Sequence, residues 1–300
     1  MGIIKTRNGA KIYLYRTWTK NNDLSQDEFT PEDKFAVGKD DSEPNVSDND
    51  LQIRVPITEG TVNDNGANEL TGELGGDNTT DNTEIFKPGA LQDDNTAQNL
   101  NCNDTDEIKS WFIDLSNDGN IIDDEKIAGL WLYFNNNVLE DITDIQIRVG
   151  SDNSNYYYYN VDVGNMQHGW NWIVLGVVSE LDEEGSVSGD IDYFNIRITT
   201  ENASDIWDEE DVVYDLLRTY TEEDTFSQYV DGYPMINFEN LEVTKQGYLT
   251  TTDAVGFNLD SYGDFNNDKD RKMGSKANFP SRSKTQIDEI ILTVKERIIL

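Results

Sequence analysis

The sequence predicts an all-β protein, with a jelly-roll-like β-sandwich inserted into a second, β-rich base domain formed by both chain ends. Short runs of branched and aromatic residues, separated by turn residues, recur seven or eight times within roughly 120 residues after Lys109. In one of them, ITDIQIRVG at residues 142–150, apolar and polar side chains alternate with the period of a half-buried strand. Near the N-terminus, two apolar runs flank Asn8-Gly9, a strong hairpin signal.

The N-terminal third predicts short strands followed by a long polar segment. Residues 3–18 are expected to form a hairpin, and residues 35–57 brief extended pieces interrupted by proline, without a helix. From residue 58 to 106 the composition changes to Asn, Asp, Gly and Thr, with few apolar residues to offset the entropy of ordering. We therefore predict a long loop or surface arm there, with brief strands such as Ile85-Phe86.

The rest of the chain is predicted to be rich in strands. The sandwich strands lie in SWFIDL, IAGLWLYFN, ITDIQIRVG, NYYYYNVDV, GWNWIVLGVV, IDYFNIRIT and VVYDLLRTY. Their spacing is typical of a sandwich or barrel and differs from that of βαβ units. Residues 256–272 predict a polar loop. The final apolar run, residues 290–298, has roughly helical spacing, but its Ile-Ile-Leu-Thr-Val sequence favours a strand.

A resemblance to a known structural family, carried by the motifs quoted below, implies two domains. Residues 1–96 and 223–300 form the β-rich base domain, including the Asn/Asp-rich arm at 58–106, and residues 97–222 form the jelly-roll-like β-sandwich. An inserted domain needs its two ends close together, which pairing of its first and last strands would allow. We expect residues 97–222 to fold on their own.

The chain is strongly acidic. It carries 59 Asp and Glu against 23 Lys and Arg, a formal net charge of −36, and therefore repels phosphate backbones and anionic lipid headgroups. We expect no nucleic acid and no membrane among its partners. Cys102 is the only cysteine, which excludes an intrachain disulfide. The N-terminal residues contain no uninterrupted apolar stretch, so classical secretion is not expected.

Four consecutive tyrosines lie in NYYYYNVDV. On a strand, Tyr157 and Tyr159 share a face with Val161, which makes this the predicted core face. Tyr156 and Tyr158 then point outward or towards a second layer.

Two tryptophans follow in GWNWIVL. Both faces of this segment are apolar enough for a strand buried on both sides. Packing in a core or an interface is the favoured explanation for the large rings. The alternative is a platform on which a glycan stacks, and its candidate residues are Tyr156, Tyr158, Trp170 and Trp207.

Residues 114–125, DLSNDGNIIDDE, match the spacing of a calcium-binding loop. The oxygen ligands would come from Asp114, Ser116, Asp118, Asn120 and Glu125. The flanking SWFIDL and IAGLWLYF runs predict strands, where an EF-hand requires helices. The context therefore favours a hairpin of solvated carboxylates with an Asx turn. Calcium is the one cofactor candidate. A second acidic run, DFNNDKD at residues 264–270, lacks the loop glycine and the closing acid, and predicts a solvated loop.

No catalytic constellation is evident in the sequence. Paired carboxylates are too common in this composition to indicate glycoside hydrolysis. His168, the only histidine, precedes Gly169 in a predicted turn and lacks a nucleophile motif. The sequence contains no phosphate loop, zinc-ligand cluster or dinucleotide fingerprint. It therefore predicts a protein that is not an enzyme.

Several segments resemble proteins of tailed bacteriophages. GSDNSNYYYYNVDVGNMQHGWNWIVL, together with IAGLWLYF before it and IDYFNIRITTENASDIWDEEDVVYDLLRTY after it, resembles the jelly-roll modules related to carbohydrate-binding domains that occur in virion proteins. IIKTRNGAKIYLYRTW and FAVGKDDSEPNVSDNDLQIRVPI are similar to the opening of the same uncharacterised structural family. The resemblance implies a virion component and leaves its position, ligand and activity open.

These observations lead to two functional expectations. The first is a structural component of a tailed virus particle: a neck, tail, fibre or head-decoration protein that contacts copies of itself and other virion proteins. It would be assembled in the host cytoplasm and located in the virion. The alternative is a glycan-binding module that attaches the particle to a host surface. A surface-layer protein of a salt-adapted microbe would require an export signal that the sequence does not show.

Overall fold

The computed structural model describes residues 32–39, 50–58, 60–83, 96–102, 106–202, 205–230, 235–237, 239–266, 273–284 and 288–297. Within these ranges the chain forms antiparallel strands and short 3-10 helices and no α-helix, which confirms the all-β prediction. The chain divides into two compact units. The base unit contains Met1–Thr58 and Glu223–Leu300, and the sandwich unit contains Glu59–Glu222.

The strands are short and numerous. They are β1 (Glu32–Lys39), β2 (Ile53–Arg54), β3 (Thr61–Asp64), β4 (Thr71–Leu74), β5 (Thr80–Asn82), β6 (Ala97–Asn99), β7 (Ile108–Asp114), β8 (Ile127–Phe134), β9 (Ile142–Asp152), β10 (Asn155–Val161), β11 (Gly169–Val177), β12 (Asp182–Glu184), β13 (Tyr193–Thr200), β14 (Val212–Tyr220), β15 (Ser227–Gln228), β16 (Met235–Asn237), β17 (Glu242–Leu249), β18 (Asn258–Asn266), β19 (Met273–Ser283) and β20 (Ile290–Arg297). The 3-10 helices are Leu115–Asp118, Leu139–Asp141, Val163–Asn165, Val178–Glu180 and Glu222–Thr225. None of the helices in the described ranges has the length and apolar character needed to cross a membrane.

The sandwich unit consists of two antiparallel sheets. The first sheet has the order β12-β10-β9-β13-β7-β4, and the second has the order β11-β8-β14-β6-β5, with β3 paired to β14. Side chains from both sheets form one core, to which β9 contributes Ile147, β13 contributes Ile196 and β8 contributes Leu130, all fully buried. Each such side chain contributes about 1.5–3 kcal/mol on burial. The period-two pattern of the sequence thus determines which side of each sheet faces inward.

The four tyrosines are distributed as the alternation predicts. Tyr157 and Tyr159 pack against the core, and Val161 is 6% exposed. Tyr156 and Tyr158 lie on the opposite, outer side of β10 and are half-buried. The outer side of the first sheet is therefore partly aromatic.

The boundary of the sandwich unit differs from the one predicted at residue 97, because the unit begins at Glu59. The segment predicted to be a long loop or surface arm contributes strands to both sheets. β4 pairs with β7 at one edge of the first sheet, while β5 pairs with β6, and β3 pairs with β14 in the second sheet. Ile85-Phe86 lies outside the described residues.

Buried amide side chains explain why this polar segment is ordered. Asn82 donates through Nδ2 to Asn99 Oδ1 at 2.7 Å, and Thr79 donates through Oγ1 to Gln98 Oε1 at 2.8 Å. Gln98 Nε2 in turn donates to the carbonyl of Gly66 at 3.0 Å. Because buried polar groups that find partners carry little net penalty, the segment joins the sheets without many apolar residues.

The base unit contains two further sheets. β15, β1, β18 and β19 follow one another in the first, with β2 paired to β1, and the second has the order β16-β17-β20. β20 confirms a strand for the C-terminal apolar run. The loop predictions for residues 256–272 and 264–270 are wrong for the first part of each range, because β18 extends to Asn266. Asp264, within this strand, is 0% exposed and forms an ion pair with Lys245. The hairpin expected around Asn8-Gly9 lies outside the described residues.

Candidate binding face

The outer side of the first sheet carries a patch of aromatic, amide and guanidinium groups, which we call the arginine-tyrosine face. Strand alternation places its members on four neighbouring strands. They are Tyr156 and Tyr158 of β10, Gln146 and Arg148 of β9, Tyr193, Asn195 and Arg197 of β13, and Ser110 and Phe112 of β7.

The register of the strands aligns these side chains in rows. Tyr158 pairs with Arg148, Arg148 pairs with Asn195, and Asn195 pairs with Phe112. Neighbouring strands lie about 4.8 Å apart, so this row of four spans about 14 Å. That length is enough to contact a short oligosaccharide or an extended peptide.

The Arg148 side chain is held in place by its neighbours. Its Cζ lies 4.5 Å from the centre of the Tyr156 ring, and its Nε donates to Gln146 Oε1 at 2.6 Å. Gln146 Nε2 then donates to Asn160 Oδ1 at 2.9 Å. Burial, together with the neighbouring positive charge of Arg197, lowers the pKa of Arg148 from its ordinary value. The guanidinium is therefore positioned in advance, with its two terminal amino groups not used by these contacts.

Asn195 of β13 is fully buried. It pairs with Arg148 of β9 and precedes Arg197 by two residues on its own strand. Its Nδ2 donates to Ser110 Oγ at 2.8 Å, whereas its Oδ1 is buried without a hydrogen-bond partner. Beside it, the rings of Phe112 and Tyr193 stack with centres 5.8 Å apart. Burial raises the pKa of the Tyr193 hydroxyl above its ordinary value, so this group is neutral at physiological pH. The face thus offers an unused acceptor beneath a layer of donors.

The structure brings together only two of the four predicted platform residues. Tyr156 and Tyr158 have ring centres 6.3 Å apart in an edge-to-face arrangement on the arginine-tyrosine face. Trp170 lies on β11 in the other sheet, where its ring is 5.5 Å from that of Tyr133. It therefore belongs to a different surface.

Trp207 is a correction to the predicted platform. It is 3% exposed and stacks on Trp111, with ring centres 5.9 Å apart and planes 19° apart. Its backbone forms a bridge with Cys102, and Lys109 Nζ lies 5.7 Å from its ring. Because a stacking platform must expose a ring face, Trp207 acts in the core instead.

The tryptophans of β11 form a ring cluster on the outer side of the second sheet. Ile173 and Leu175 point into the core, which leaves Trp170 and Trp172 on the other side. The Trp172 ring lies 5.2 Å from that of Trp131, and the guanidinium of Arg218 lies 4.9 Å from it. Both rings pack against neighbouring aromatic rings but are half-buried and lie outside the sandwich core, so this face of β11 is not fully buried as predicted.

The calcium-loop candidates lie between β7 and β8 and not between helices. Asp114 caps the helix Leu115–Asp118, and its Oδ1 accepts hydrogen bonds from both the backbone and the hydroxyl of Ser116. Glu125 is exposed, and its backbone N–H donates to Asp123 Oδ1 at 3.1 Å. Asn120 donates through its backbone to Leu115, and the side chain of Asp118 lies outside the described set.

The arrangement around Asp114 is the Asx turn that the sequence context favoured. Within the described residues, no three His, Cys, Asp or Glu side chains come close enough together to hold a metal. Calcium binding at this loop stays a prediction, which a calcium titration would test.

Sequence reasoning missed Arg148, Arg197, Asn195 and Phe112 as members of a site. Their signal was present in the alternation of ITDIQIRVG and IDYFNIRIT, whose polar positions carry both arginines. What the sequence lacked was the pairing of β9 with β13, which places the two segments side by side. A comparison with models of known protein families finds no match for this chain, and a comparison with curated protein sequences finds none.

Proposed function

We propose that this chain is a structural component of a tailed virus particle that acts through protein–protein contacts and not as an enzyme. The division of the chain carries the proposal. Both chain ends belong to the base unit, while Glu59–Glu222 forms a complete two-layered sandwich of its own. Such a division lets one unit attach to an assembly while the other presents its sheet faces. The resemblance of several motifs, in the same order, to those of virion proteins supports the same assignment.

Localisation on purified particles tests this function. Antibodies against the sandwich unit, visualised by electron microscopy, should label one repeated position on the particle. Mass spectrometry of the same preparation should detect the chain in a fixed ratio to the other virion proteins. Its absence from particles purified from infected cells would refute the proposal.

The second candidate function is glycan binding for host attachment, and the arginine-tyrosine face favours it. Tyr156, Tyr158 and Phe112 are half-buried rings with an exposed part, and the guanidinium of Arg148 lies on a strand between those that carry them. Saccharide sites need such a combination, because sugar rings present apolar faces edged by hydroxyl groups. The two functions are compatible in one virion protein.

A glycan array with paired variants tests this second function. Tyr158→Ala should abolish saturable binding, because it removes the ring that lies next to Arg148 at one end of the row. Tyr133→Ala makes the same change to a half-buried tyrosine of the second sheet and should leave binding intact. Equal effects of the two substitutions would place the ligand elsewhere.

A further inference from the structure

The two arginines of the arginine-tyrosine face are unusual in this acidic chain. Arg148 and Arg197 occupy diagonal positions on the paired strands β9 and β13, where Arg148 pairs with Asn195 and Arg197 pairs with Gln146. Neither guanidinium forms an ion pair with a carboxylate of the described residues, although acidic residues outnumber basic ones by 59 to 23. By contrast, the described basic residues that form ion pairs include Lys34, Arg54, Lys126, Lys245 and Lys295.

Their hydrogen-bonding capacity is also largely unused. Arg148 donates through Nε to Gln146 and keeps its terminal amino groups for other partners. The Arg197 guanidinium makes no hydrogen bond within the described part of the chain. The buried Oδ1 of Asn195, which lies in the same register row as Arg148, is also without a partner. Guanidinium groups carried on the same side of two neighbouring strands can converge on a planar carboxylate, which accepts paired hydrogen bonds.

The rim of the face limits what the anionic ligand can be. Glu73 of β4, Asp182 and Glu184 of β12, and Asp114 at the end of β7 surround the central arginines. Polyanions would be repelled by these carboxylates, whereas sugar hydroxyls can donate hydrogen bonds to them. A ligand with one carboxylate, several hydroxyl groups and apolar ring faces fits the centre, the rim and the aromatic rings together.

We infer that the arginine-tyrosine face binds an acidic saccharide, a sugar of the uronic or sialic acid class, whose carboxylate is held by Arg148 and Arg197. Tyr156, Tyr158 and Phe112 contact the sugar ring, and the rim carboxylates accept its hydroxyl protons. This inference rests on the glycan-binding function proposed above and assigns the chemical class of its ligand.

Calorimetric titration of the full chain with matched probes tests the inference. The pairs are galacturonate with its methyl ester, and sialyllactose with lactose, so that each probe with one carboxylate has a neutral partner. In at least one pair the acidic probe should bind about tenfold or more tightly, since hydrogen bonds to charged groups are about twice as strong as neutral ones. Its affinity should fall with added salt, and that of the neutral probe should not.

Variants of Arg197 identify the group responsible. Arg197→Gln should lower the affinity for the acidic probe about tenfold or more and leave the affinity for the neutral probe unchanged. Arg197→Lys keeps the charge but loses the paired geometry, so we expect an intermediate loss. Arg282→Gln removes an exposed arginine of the base unit and is the control, which should not change binding. Thermal unfolding curves show whether each variant is folded.

Three outcomes would overturn the inference. In the first, no acidic probe binds more tightly than its neutral partner. In the second, Arg197→Gln and Arg282→Gln have equal effects. In the third, a hexaglutamate peptide binds as tightly as the acidic sugar and does so equally in Tyr158→Ala, which would indicate an acidic protein segment. If neutral glycans bind as tightly as acidic ones and Tyr158→Ala abolishes their binding, the proposed glycan-binding function is supported but the specificity for acidic sugars is refuted.

Discussion

Lys245 lies in a buried polar cluster of the base unit. Its ammonium group and the carboxylate of Asp264 form an ion pair in which both side chains are 0% exposed. Tyr229 and Tyr262 also donate to this carboxylate, and their hydroxyl oxygens are 2.7 Å apart. A buried carboxylate depends on such partners because it has left water. The sequence predicted that Asp264 lies in a solvated loop, since nothing in DFNNDKD shows that Lys245 of β17 supplies a cation to it.

Lys245→Met should therefore destabilise the protein strongly. Removing one partner of a buried ion pair costs about 3–5 kcal/mol, because the remaining charge is buried without compensation. Lys295→Met is the matched control, since the Lys295 side chain is 63% exposed and its Nζ lies 3.8 Å from Glu242 Oε1. This substitution should lower the free energy of unfolding by less than about 1 kcal/mol. Urea unfolding measures both values, and similar losses would contradict the importance of the buried pair.

Cys102 gives a second test at the level of single residues. Burial raises the pKa of its thiol from 9.0 to about 11, and the residue is 3% exposed. Since the thiolate is the reactive form, the folded protein should react slowly with a thiol-specific dye at pH 8. Unfolding in guanidinium should release one fast-reacting thiol per chain. Fast reaction of the native protein would show that the thiol is accessible.

The same pKa shift predicts how pH affects stability. The folded pKa exceeds that of the unfolded chain, so the contribution of Cys102 is fully present below about pH 9 and is lost as the pH rises towards about 11. Cys102→Ala removes this contribution and should flatten the corresponding part of the stability profile. An unchanged profile would contradict the burial of the thiol.

At the scale of elements, β5 and β6 are held by amide contacts more than by apolar packing. Asn99 accepts from Asn82 and from the backbone of Glu210, and it donates to Thr80 Oγ1 at 3.2 Å. Asn99→Ala should lower the free energy of unfolding by about 1–3 kcal/mol, because it leaves buried polar groups without partners. Asn136→Ala, in an exposed turn, is the control. Equal losses in the two variants would show that the amide contacts do not stabilise the edge.

This edge also shows where sequence prediction succeeded and failed. From β7 onward, branched residues alternate with polar ones, and the pattern alone identifies strands such as β9 and β13. In β5 and β6 the buried side chains include the amides Asn82, Gln98 and Asn99, whose partners lie on another strand, so composition suggested a loop. The binding face depends in the same way on non-local pairing, which is why Tyr156 and Tyr158 were predicted on one surface and Arg197 was not.

At the scale of the whole molecule, charge sets the conditions under which the chain is compact. A net charge of −36 repels itself, and added salt screens that repulsion. The predicted calcium site would act in the same direction, if occupied, by neutralising the carboxylates around Asp114. Comparing the stability of the chain in sodium chloride and in calcium chloride at equal ionic strength separates general charge screening from specific calcium binding.

The extent of the sandwich unit leads to the last prediction. A fragment of residues 59–222 contains every strand of both sheets and should unfold cooperatively, with far-ultraviolet circular dichroism typical of β structure. A fragment of residues 97–222 lacks β3, β4 and β5, so β6 keeps β14 but loses β5, and Gln98 and Asn99 lose their buried partners Thr79 and Asn82. We expect this shorter fragment to be less stable by several kcal/mol, because each unsatisfied group costs about 1–3 kcal/mol. Equal stability of the two fragments would show that residues 59–96 are an accessory arm, as their composition suggests, and would move the boundary of the unit to residue 97.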